Sequence, residues 1–194
     1  MTLPKPSQIK ALKDRIEKIK KKDKGIDDKD VEKFICDTLR SCVRQAWMRH
    51  PIKLLALDLA TEPDMNPDTR TTWKVKCAKC NDFHKKNEVE VDHKIGEHSL
   101  KTFDDLVPFV LSILNVTTDD LQVLCKPHHR IKTYSERYGH SEVDAEIILN
   151  AKDWLKATKV EKQKDHYAKL GYDEKDYSNA KKREALAIKL KLTP

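Results

Sequence analysis

The sequence predicts an α+β fold that is mostly helical, with a small strand-containing core between N-terminal and C-terminal helices. Two observations support this fold class. Apolar residues recur at helical spacing towards both ends of the chain, whereas the alternation typical of strands is confined to a central stretch. Paired cysteine and histidine residues fall in the same stretch. We therefore divide the chain into an N-terminal helical region (1–70), a central core (71–140) and a basic, helical C-terminal region (141–194).

The composition indicates a soluble protein with a modest core and a basic surface. Charged residues make up 37% of the chain, the formal net charge is +7, and the mean hydropathy is −0.74. No apolar run has the length that a membrane helix needs, and the N-terminal residues lack the apolar segment of a signal peptide. We therefore expect a cytoplasmic protein with no membrane partner. The charge favours polyanionic partners, although a solvated basic surface has the same composition.

The N-terminal region predicts three helices followed by a loop. The first helix, over 7–22, places apolar residues at helical spacing on a basic background, namely Ile9, Leu12, Ile16 and Ile19. The second, over 29–49, has an apolar stripe of Val31, Phe34, Ile35, Leu39, Val43 and Trp47. Pro51 then breaks or restarts the helix, and "PIKLLALDLA" predicts a short third one. The Pro, Asp and Asn content of "TEPDMNPDTRT" predicts a loop.

The central region combines short strands with two helices. Strand-like segments flank "CAKC", and Val89 and Val91 alternate with polar residues in "NEVEVDHK", which predicts a strand with one apolar face. "SLKTFDDLVPFVLSIL" is helical in pattern, and "DDLQVLC" predicts another strand. "KPHHRIKTYSERYG" then begins a helix that Gly139 can cap. From about Asp144 the chain again predicts helices, with "YDEKDYS" as a turn between the last two.

The cysteines indicate metal binding rather than disulfides. Their number is odd and no export signal is evident, and Cys36 and Cys42 fit reduced core positions in a helix. The other three cysteines contribute to two pairs of matched spacing, in which both ligands of a pair can reach one ion from a tight turn. Since Zn²⁺ prefers four nitrogen or sulfur ligands in a tetrahedron, we predict a structural zinc site. Its ligands are Cys77, Cys80, Cys125 and His128.

A second group of polar residues surrounds the predicted zinc site. Asp92 and His93 close a predicted strand, and His129 stays available once zinc takes His128. A carboxylate and an imidazole together suit a hard divalent cation that keeps several waters, such as Mg²⁺. A surface Asp–His pair without a ligand is the alternative interpretation of Asp92 and His93.

Together, "CAKC", "VDHK" and "DDLQVLCKPHHRIKT" resemble the HNH nucleases of the ββα-metal, or His-Me finger, class. The similarity spans about residues 73 to 138 and looks closest to bacteriophage-encoded members. There are two departures from the family pattern. His128 stands where the family has the second cysteine of a pair, which zinc tolerates, and Asp120 stands where the family has the asparagine that gives HNH its N.

The resemblance implies a zinc-stabilised ββα-metal core and a DNA endonuclease. Asp92 and His129 would hold one catalytic Mg²⁺ or Mn²⁺, and His93 would be the general base that activates water. Asp120 would steady the loop and the general base. The products would carry 5′-phosphate and 3′-hydroxyl ends, from a nick or a double-strand cut. Such an enzyme would work in the cytoplasm of the host bacterium.

Basic residues outside the core motifs are candidate nucleic-acid contacts. Arg130 and Lys132 follow His129 on the predicted helix, where solvated helix charge is the equally weighted alternative. Near the start of the last predicted helix lie Lys181, Lys182 and Arg183, in a segment with some character of a helix–turn–helix. A C-terminal helix packed on the core, with a charged outer face, has the same pattern.

Two further functional hypotheses stay open at this stage. A zinc-stabilised DNA-binding module without cleavage activity is favoured by Asp120 in the asparagine position. The chain can also be the nuclease subunit of a phage machine for DNA packaging or recombination, with a phage protein as partner. The target sequence and the oligomeric state do not follow from the sequence.

Overall fold

A computed structural model describes residues 28–70, 72–96 and 99–194, together with isolated positions between 7 and 18. The helices are α1 (Asp28–Met48), α2 (Pro51–Leu59), α3 (Leu106–Leu114), α4 (Lys126–Tyr138), α5 (Glu142–Ala157), α6 (Val160–Lys169) and α7 (Ala180–Lys189). The strands are β1 (Thr61–Pro63), β2 (Trp73–Lys76), β3 (Phe83–His84), β4 (Val89–His93) and β5 (Leu121–Cys125). The predicted α+β, mostly helical class is therefore confirmed. Within the described ranges no helix is both long and apolar enough to cross a membrane.

Much of the predicted first helix lies outside the described residues, including all four apolar positions on which it rests: Ile9, Leu12, Ile16 and Ile19. The described positions between 7 and 18 are helical and exposed.

The described chain forms two compact units. The first combines the described residues up to Ala56 with His93–Leu121, and the second combines Leu57–Asp92 with Gln122–Pro194. The division into regions 1–70, 71–140 and 141–194 stays a prediction.

Helices α1 and α3 form the body of the first unit. Phe109 and Ile113 of α3 are fully buried, as is Leu100 in the segment before it. The Arg40 guanidinium donates to the Leu100 carbonyl oxygen, and Glu32 accepts from the backbone N–H of Phe103 at 2.8 Å. These side chains of α1 therefore fasten the segment that leads into α3.

The apolar stripe of α1 is only partly covered within the described residues. Cys36 and Trp47 are buried, whereas Phe34 is 71% exposed. Cys42 is also exposed, so its prediction as a core residue was wrong. It lies six residues after Cys36, and because a helix turns about 100° per residue, the two side chains point about 120° apart around the axis.

A three-stranded antiparallel sheet in the order β1-β2-β3 opens the second unit. Strand β1 occupies a segment predicted to be a loop. Its register pairs Thr61 with Val75, so the hydrogen bonds to β2 order a strand in which Glu62 and Pro63 have low strand propensity. Strands β4 and β5 pair as a separate sheet, and Val89, Val91 and His93 form the buried face of β4.

The helices after β5 pack around aromatic residues. Tyr167 is fully buried with Tyr177 and Leu186, and Trp154 lies against them. The Tyr167 hydroxyl donates to the Arg183 carbonyl oxygen at 2.8 Å. The predicted helices after Asp144 and the turn in "YDEKDYS" are present, since α6 and α7 are joined by a segment that contains a single 3₁₀ turn at Glu174–Asp176.

Gly139 ends α4 in the left-handed conformation, as its position in the sequence predicts. Its φ is 68°, and a Cβ added there would meet no atom within 4 Å. Replacing Gly139 by alanine is therefore expected to cost about 1 kcal/mol of unfolding free energy through backbone conformation alone. Chemical denaturation measures this cost. Asparagine adopts this conformation more readily than alanine, so Gly139→Asn should lower the unfolding free energy by less. An alanine variant as stable as the parent would contradict the left-handed conformation of Gly139 at the end of α4.

Candidate metal centre

Two turns bring four metal-ligating side chains together in the second unit. The first turn carries Cys77 and Cys80 between β2 and β3. It is closed by hydrogen bonds from Cys77 N to Asp82 O and from Asn81 N to Cys77 O, each 3.0 Å long. Asn81 takes a φ of 61°, a conformation that asparagine adopts more readily than other residues with a Cβ. The sequence therefore folds this turn locally, with both thiols on its inner side.

The second turn joins β5 directly to α4. Cys125 ends the strand with extended backbone, and Pro127 lies in the first helical turn, where its lack of an N–H costs no hydrogen bond. His128 then follows Cys125 at helical spacing, and its Nδ1 lies 3.0 Å from Cys125 Sγ. The turn that carries Cys77 is fixed to β5, because Ala78 N donates to Val123 O at 2.8 Å.

The four side chains form a compact cluster. The ligand atoms of Cys77, Cys80, Cys125 and His128 all lie within 4.8 Å of one another, and Cys77 Sγ is 3.7 Å from His128 Nδ1. Tetrahedral zinc with its usual bond lengths separates a sulfur from a nitrogen ligand by about 3.5 Å. The cluster can therefore hold a metal ion such as zinc, and its four ligands would leave no open coordination position.

The cluster favours one thiolate before any metal binds. Burial opposes ionisation of Cys77, but backbone N–H donors, chiefly that of Cys125, outweigh it and lower the pKa of the Cys77 thiol to about 6. Burial raises the pKa of Cys80 to about 11 and raises that of Cys125. In the metal-free protein, the Cys77 shift contributes stability that is complete above pH 9.0 and is lost as the pH falls through 6.

These pKa shifts predict the number of protons displaced by the metal. At about pH 8, Cys77 is already a thiolate, whereas Cys80 and Cys125 still carry protons. Binding of one divalent ion by all three sulfurs should release about two protons rather than three. Calorimetry of zinc binding in buffers of different ionisation enthalpy gives this number, and a release of three protons would contradict the ionised state of Cys77.

A histidine that the sequence did not single out lies beside the cluster. His84 Nε2 is 3.6 Å from Cys80 Sγ, and the ligand atoms of Cys80, Asp82 and His84 also lie within 4.8 Å of one another. Its spacing, two residues after Asp82 and four after Cys80, is a signal in the sequence that could have suggested it. His84 is therefore a neighbour of the most exposed thiol in the cluster.

The two adjacent histidines of α4 have different neighbours. The His128 ring faces the thiols of the cluster. His129 is the next residue, and its Nε2 lies 3.9 Å from Asp92 Oδ1. Successive residues on a helix differ by about 100° in direction, which is sufficient to separate the two rings. The structure thus brings together Asp92 and His129, as the sequence predicted, and the His129 side chain is 36% exposed.

Lys132 lies one turn after His129 and is buried against the same carboxylate. Its Nζ is 2.8 Å from Asp92 Oδ2 and 2.6 Å from Glu136 Oε1. Burial opposes the charge, but the two carboxylates outweigh it and raise the pKa of Lys132. Asp92 Oδ2 nevertheless makes no hydrogen bond of acceptable geometry, so we treat the short contact as an ion pair rather than an aligned hydrogen bond.

His93 belongs to the first unit and is 4% exposed. Its ring lies 4.4 Å from that of Trp47, centroid to centroid, and Nε2 is 3.2 Å from the Ile113 carbonyl oxygen. A carbonyl oxygen only accepts hydrogen bonds, so Nε2 carries the proton of the neutral ring and Nδ1 carries the lone pair. This contact therefore fixes the tautomer of His93.

Asp120 braces the loop before β5. Its carboxylate accepts hydrogen bonds from the backbone N–H of Thr117 at 2.8 Å and from the Thr117 hydroxyl at 2.7 Å, and its own carbonyl oxygen accepts from Lys94 N at 2.8 Å. The bonds from Thr117, together with weaker effects of Lys94 and His93, lower the pKa of Asp120. These bonds hold Asp120 to Thr117 and to Lys94; the functional role expected for this position stays a prediction.

Two of the candidate nucleic-acid contacts have guanidinium groups that are already engaged. Arg130 forms a two-pronged ion pair with Asp153, in which Nη2 donates to Oδ1 at 2.8 Å. Arg183 donates to the Gln163 side chain at 3.1 Å and to the Tyr177 carbonyl oxygen at 3.3 Å. Phosphate binding by either arginine would have to compete with these bonds.

The lysines among these candidates differ from one another. Lys181 is exposed, and the Lys182 ammonium donates to the Lys175 carbonyl oxygen. Lys132 is the buried member of the set. Of these three lysines, Lys181 is therefore the most accessible to a phosphate.

Comparisons with protein-family models, with curated proteins and with solved structures found no match to this chain.

Proposed function

We propose that this protein is a divalent-metal-dependent DNA endonuclease of the HNH type, with a zinc ion in the Cys–His cluster. One observation carries the proposal. At the junction of β5 and α4, His128 joins the thiol cluster while His129, the next residue, lies 3.9 Å from Asp92. A closed four-ligand site beside a carboxylate–imidazole pair is the combination expected for one structural and one catalytic metal.

The donor set at Asp92 and His129 fits a hard divalent cation. Two bonds of the length that Mg²⁺ prefers span at most about 4.2 Å, so the 3.9 Å separation lies within reach of one ion. Asp92 Oδ2 is a buried carboxylate oxygen without an aligned hydrogen bond, and the partial exposure of His129 leaves access for water and substrate. When bound, Mg²⁺ or Mn²⁺ would stabilise charge on the scissile phosphate and on the leaving oxygen.

In its neutral form His93 can supply the lone pair that a general base requires. If Nε2 donates to the Ile113 carbonyl oxygen, Nδ1 is the atom whose lone pair would accept a proton from the attacking water. The role itself comes from the resemblance to HNH nucleases. Asp120 would keep the loop in place through Thr117, as its hydrogen bonds already do.

DNA is the proposed substrate because the chain is basic and the resemblance is to DNA nucleases. A formal net charge of +7 attracts a polyanion without selecting a sequence. The products would carry 5′-phosphate and 3′-hydroxyl ends. A phage origin, and a role in packaging or recombination with a phage partner, belong to the same proposal and predict that such a partner co-purifies with this chain.

A DNA-binding module without cleavage is the second candidate, and one observation favours it. The Lys132 ammonium pairs with Asp92 Oδ2 at 2.8 Å, so a cation that binds Asp92 must displace or share this contact. If the lysine excludes Mg²⁺, the zinc-stabilised core would bind DNA without hydrolysing it.

Cleavage of supercoiled and branched DNA in Mg²⁺ or Mn²⁺ separates the two candidates. The endonuclease predicts metal-dependent nicked or linear products from the parent and little product from Asp92→Asn or His129→Ala. DNA retardation without cleavage in either metal would favour the binding module. Cleavage that survives chelation of the divalent ions would contradict the proposed catalytic site.

A further inference from the structure

A cavity of about 340 Å³ lies between α4 and α5 in the second unit, beside His129. Its volume falls within the range of about 300–1,000 Å³ typical of ligand pockets. Leu149 of α5 provides a buried apolar surface, and Thr133, Tyr134, Arg137 and Tyr138 of α4 are among the residues that line the remainder. An apolar floor with aromatic and cationic walls suits a flat, polar ring that carries negative charge nearby.

The spacing along α4 connects this cavity to the proposed catalytic metal. His129, Thr133 and Arg137 follow one another at four-residue intervals and so lie along one side of the helix. Eight residues of α-helix rise about 12 Å, which is about the length of three or four stacked nucleotides at about 3.4 Å each. A DNA strand whose scissile phosphate lies at His129 could therefore place its next three or four nucleotides along the whole length of the cavity.

The aromatic wall has one fixed ring and one exposed ring. The Tyr134 hydroxyl accepts a hydrogen bond from Lys152 Nζ at 3.1 Å, and its ring lies nearly parallel to that of His140, with 5.9 Å between centroids. Tyr138 lies 4.5 Å from Tyr134, centroid to centroid, and is 56% exposed. Tyr138 is thus supported from one side and presents the rest of its ring to solvent.

The cationic wall also has one engaged and one accessible member. Arg130 is paired with Asp153, whereas among the described residues no carboxylate lies within ion-pairing distance of Arg137, which is exposed. A guanidinium in this position can contact a phosphate at the mouth of the cavity.

We propose that this cavity binds unpaired nucleobases of the DNA strand that runs from the scissile phosphate. The base would stack on Tyr138, its edge would face Thr133 and Leu149, and Arg137 would contact the phosphate that follows. The proposal rests on the proposed endonuclease function and narrows its substrate class. Because paired bases in a duplex cannot enter a cavity of this kind, the preferred substrates are branched, flapped or mismatched DNA.

Binding of short fluorescent DNA by the zinc-loaded protein, measured by anisotropy without Mg²⁺ or Mn²⁺, tests the cavity apart from cleavage. Tyr138→Ala should raise the Kd for a single strand about 5-fold to 100-fold, as expected for the loss of base–aromatic stacking, and should leave duplex binding almost unchanged. Tyr138→Trp should retain the affinity. Phe103→Ala removes a ring of comparable exposure, 49%, in the other unit and should have no effect.

Arg137→Gln should weaken binding of single-stranded and duplex DNA alike and reduce the salt dependence by about one phosphate contact. Arg70→Gln, which removes an exposed arginine from a loop of the same unit, is the matched control. Wild-type single-strand affinity in Tyr138→Ala would overturn the proposal. So would a mononucleotide that competes as well as the single strand, because the site would then be a free-nucleotide pocket.

Cleavage assays distinguish failure of this inference from failure of the proposed function. If the parent protein cleaves duplex and forked DNA equally well, and Tyr138→Ala cleaves both like the parent, the cavity does not bind nucleobases. The proposed endonuclease function would still stand. If the parent cleaves no DNA but binds single strands through Tyr138, nucleobase binding by the cavity would be supported and the proposed endonuclease function would be contradicted.

Discussion

Replacing Cys125 by serine is expected to remove the metal from the Cys–His cluster and to abolish cooperative unfolding of the second unit. Cys125 is 2% exposed and both its Sγ and its backbone N–H contact other members of the cluster. Structural zinc sites contribute an apparent free energy of about 10–16 kcal/mol, which is as large as the whole stability of a typical domain, about 5–15 kcal/mol. Metal content by atomic emission and chemical denaturation of the same sample measure the two effects.

Cys42→Ser is the matched control, because it makes the same atomic change at an exposed cysteine outside the cluster. It should keep one metal ion per chain and unfold like the parent. A Cys125→Ser protein that retains one tightly bound ion would show that the cluster is not the metal site.

Replacing His93 by alanine is expected to lower the rate of DNA cleavage by about 10²–10⁴-fold, the usual contribution of a general base. DNA affinity should change little, because the ring is 4% exposed and a general base acts on the attacking water rather than on the phosphates that hold the DNA. Single-turnover cleavage of supercoiled DNA at saturating protein measures the chemical step alone.

Loss of fold must be separated from loss of chemistry in this variant, since His93 is part of the core of the first unit. His93→Gln retains an N–H donor for the Ile113 carbonyl oxygen but supplies no basic nitrogen. It should therefore be as inactive as His93→Ala while unfolding closer to the parent. Wild-type cleavage by a folded His93→Ala protein would show that His93 is not the general base.

The parts of the fold that the sequence predicted are those with local signals. Alternation of Val89 and Val91 marks β4, and Gly139 ends α4 at the predicted residue with a φ of 68°. The metal cluster was also predictable, because matched two-residue gaps place both ligands of each pair on a tight turn. In each case the signal is local, although the two turns of the metal cluster come together only through contacts between distant residues.

The features that the sequence did not predict depend on distant partners. Strand β1 forms in a segment rich in turn residues because Thr61 and its neighbours pair with β2. Lys132 was proposed as a phosphate contact, yet it is buried between Asp92 and Glu136. A lysine on a basic helix carries no local sign of a carboxylate partner that lies on a strand, so only the tertiary structure identifies it.

The same limit applies to the arginines. Arg130 and Arg183 were proposed to contact DNA, but the first pairs with Asp153 and the second with Gln163. Both partners lie on other helices, 23 and 20 residues away in the chain. The role of these arginines in DNA binding stays a prediction.

The most direct test of the account measures metal content and DNA cleavage together in His128→Ala and His129→Ala. We expect His128→Ala to lose the tightly bound ion and much of its stability, because His128 Nδ1 lies 3.0 Å from Cys125 Sγ. His129→Ala should keep that ion and its stability while losing Mg²⁺-dependent cleavage. Equal loss of the ion from both variants, or wild-type cleavage by His129→Ala, would contradict the division of roles between the two adjacent histidines.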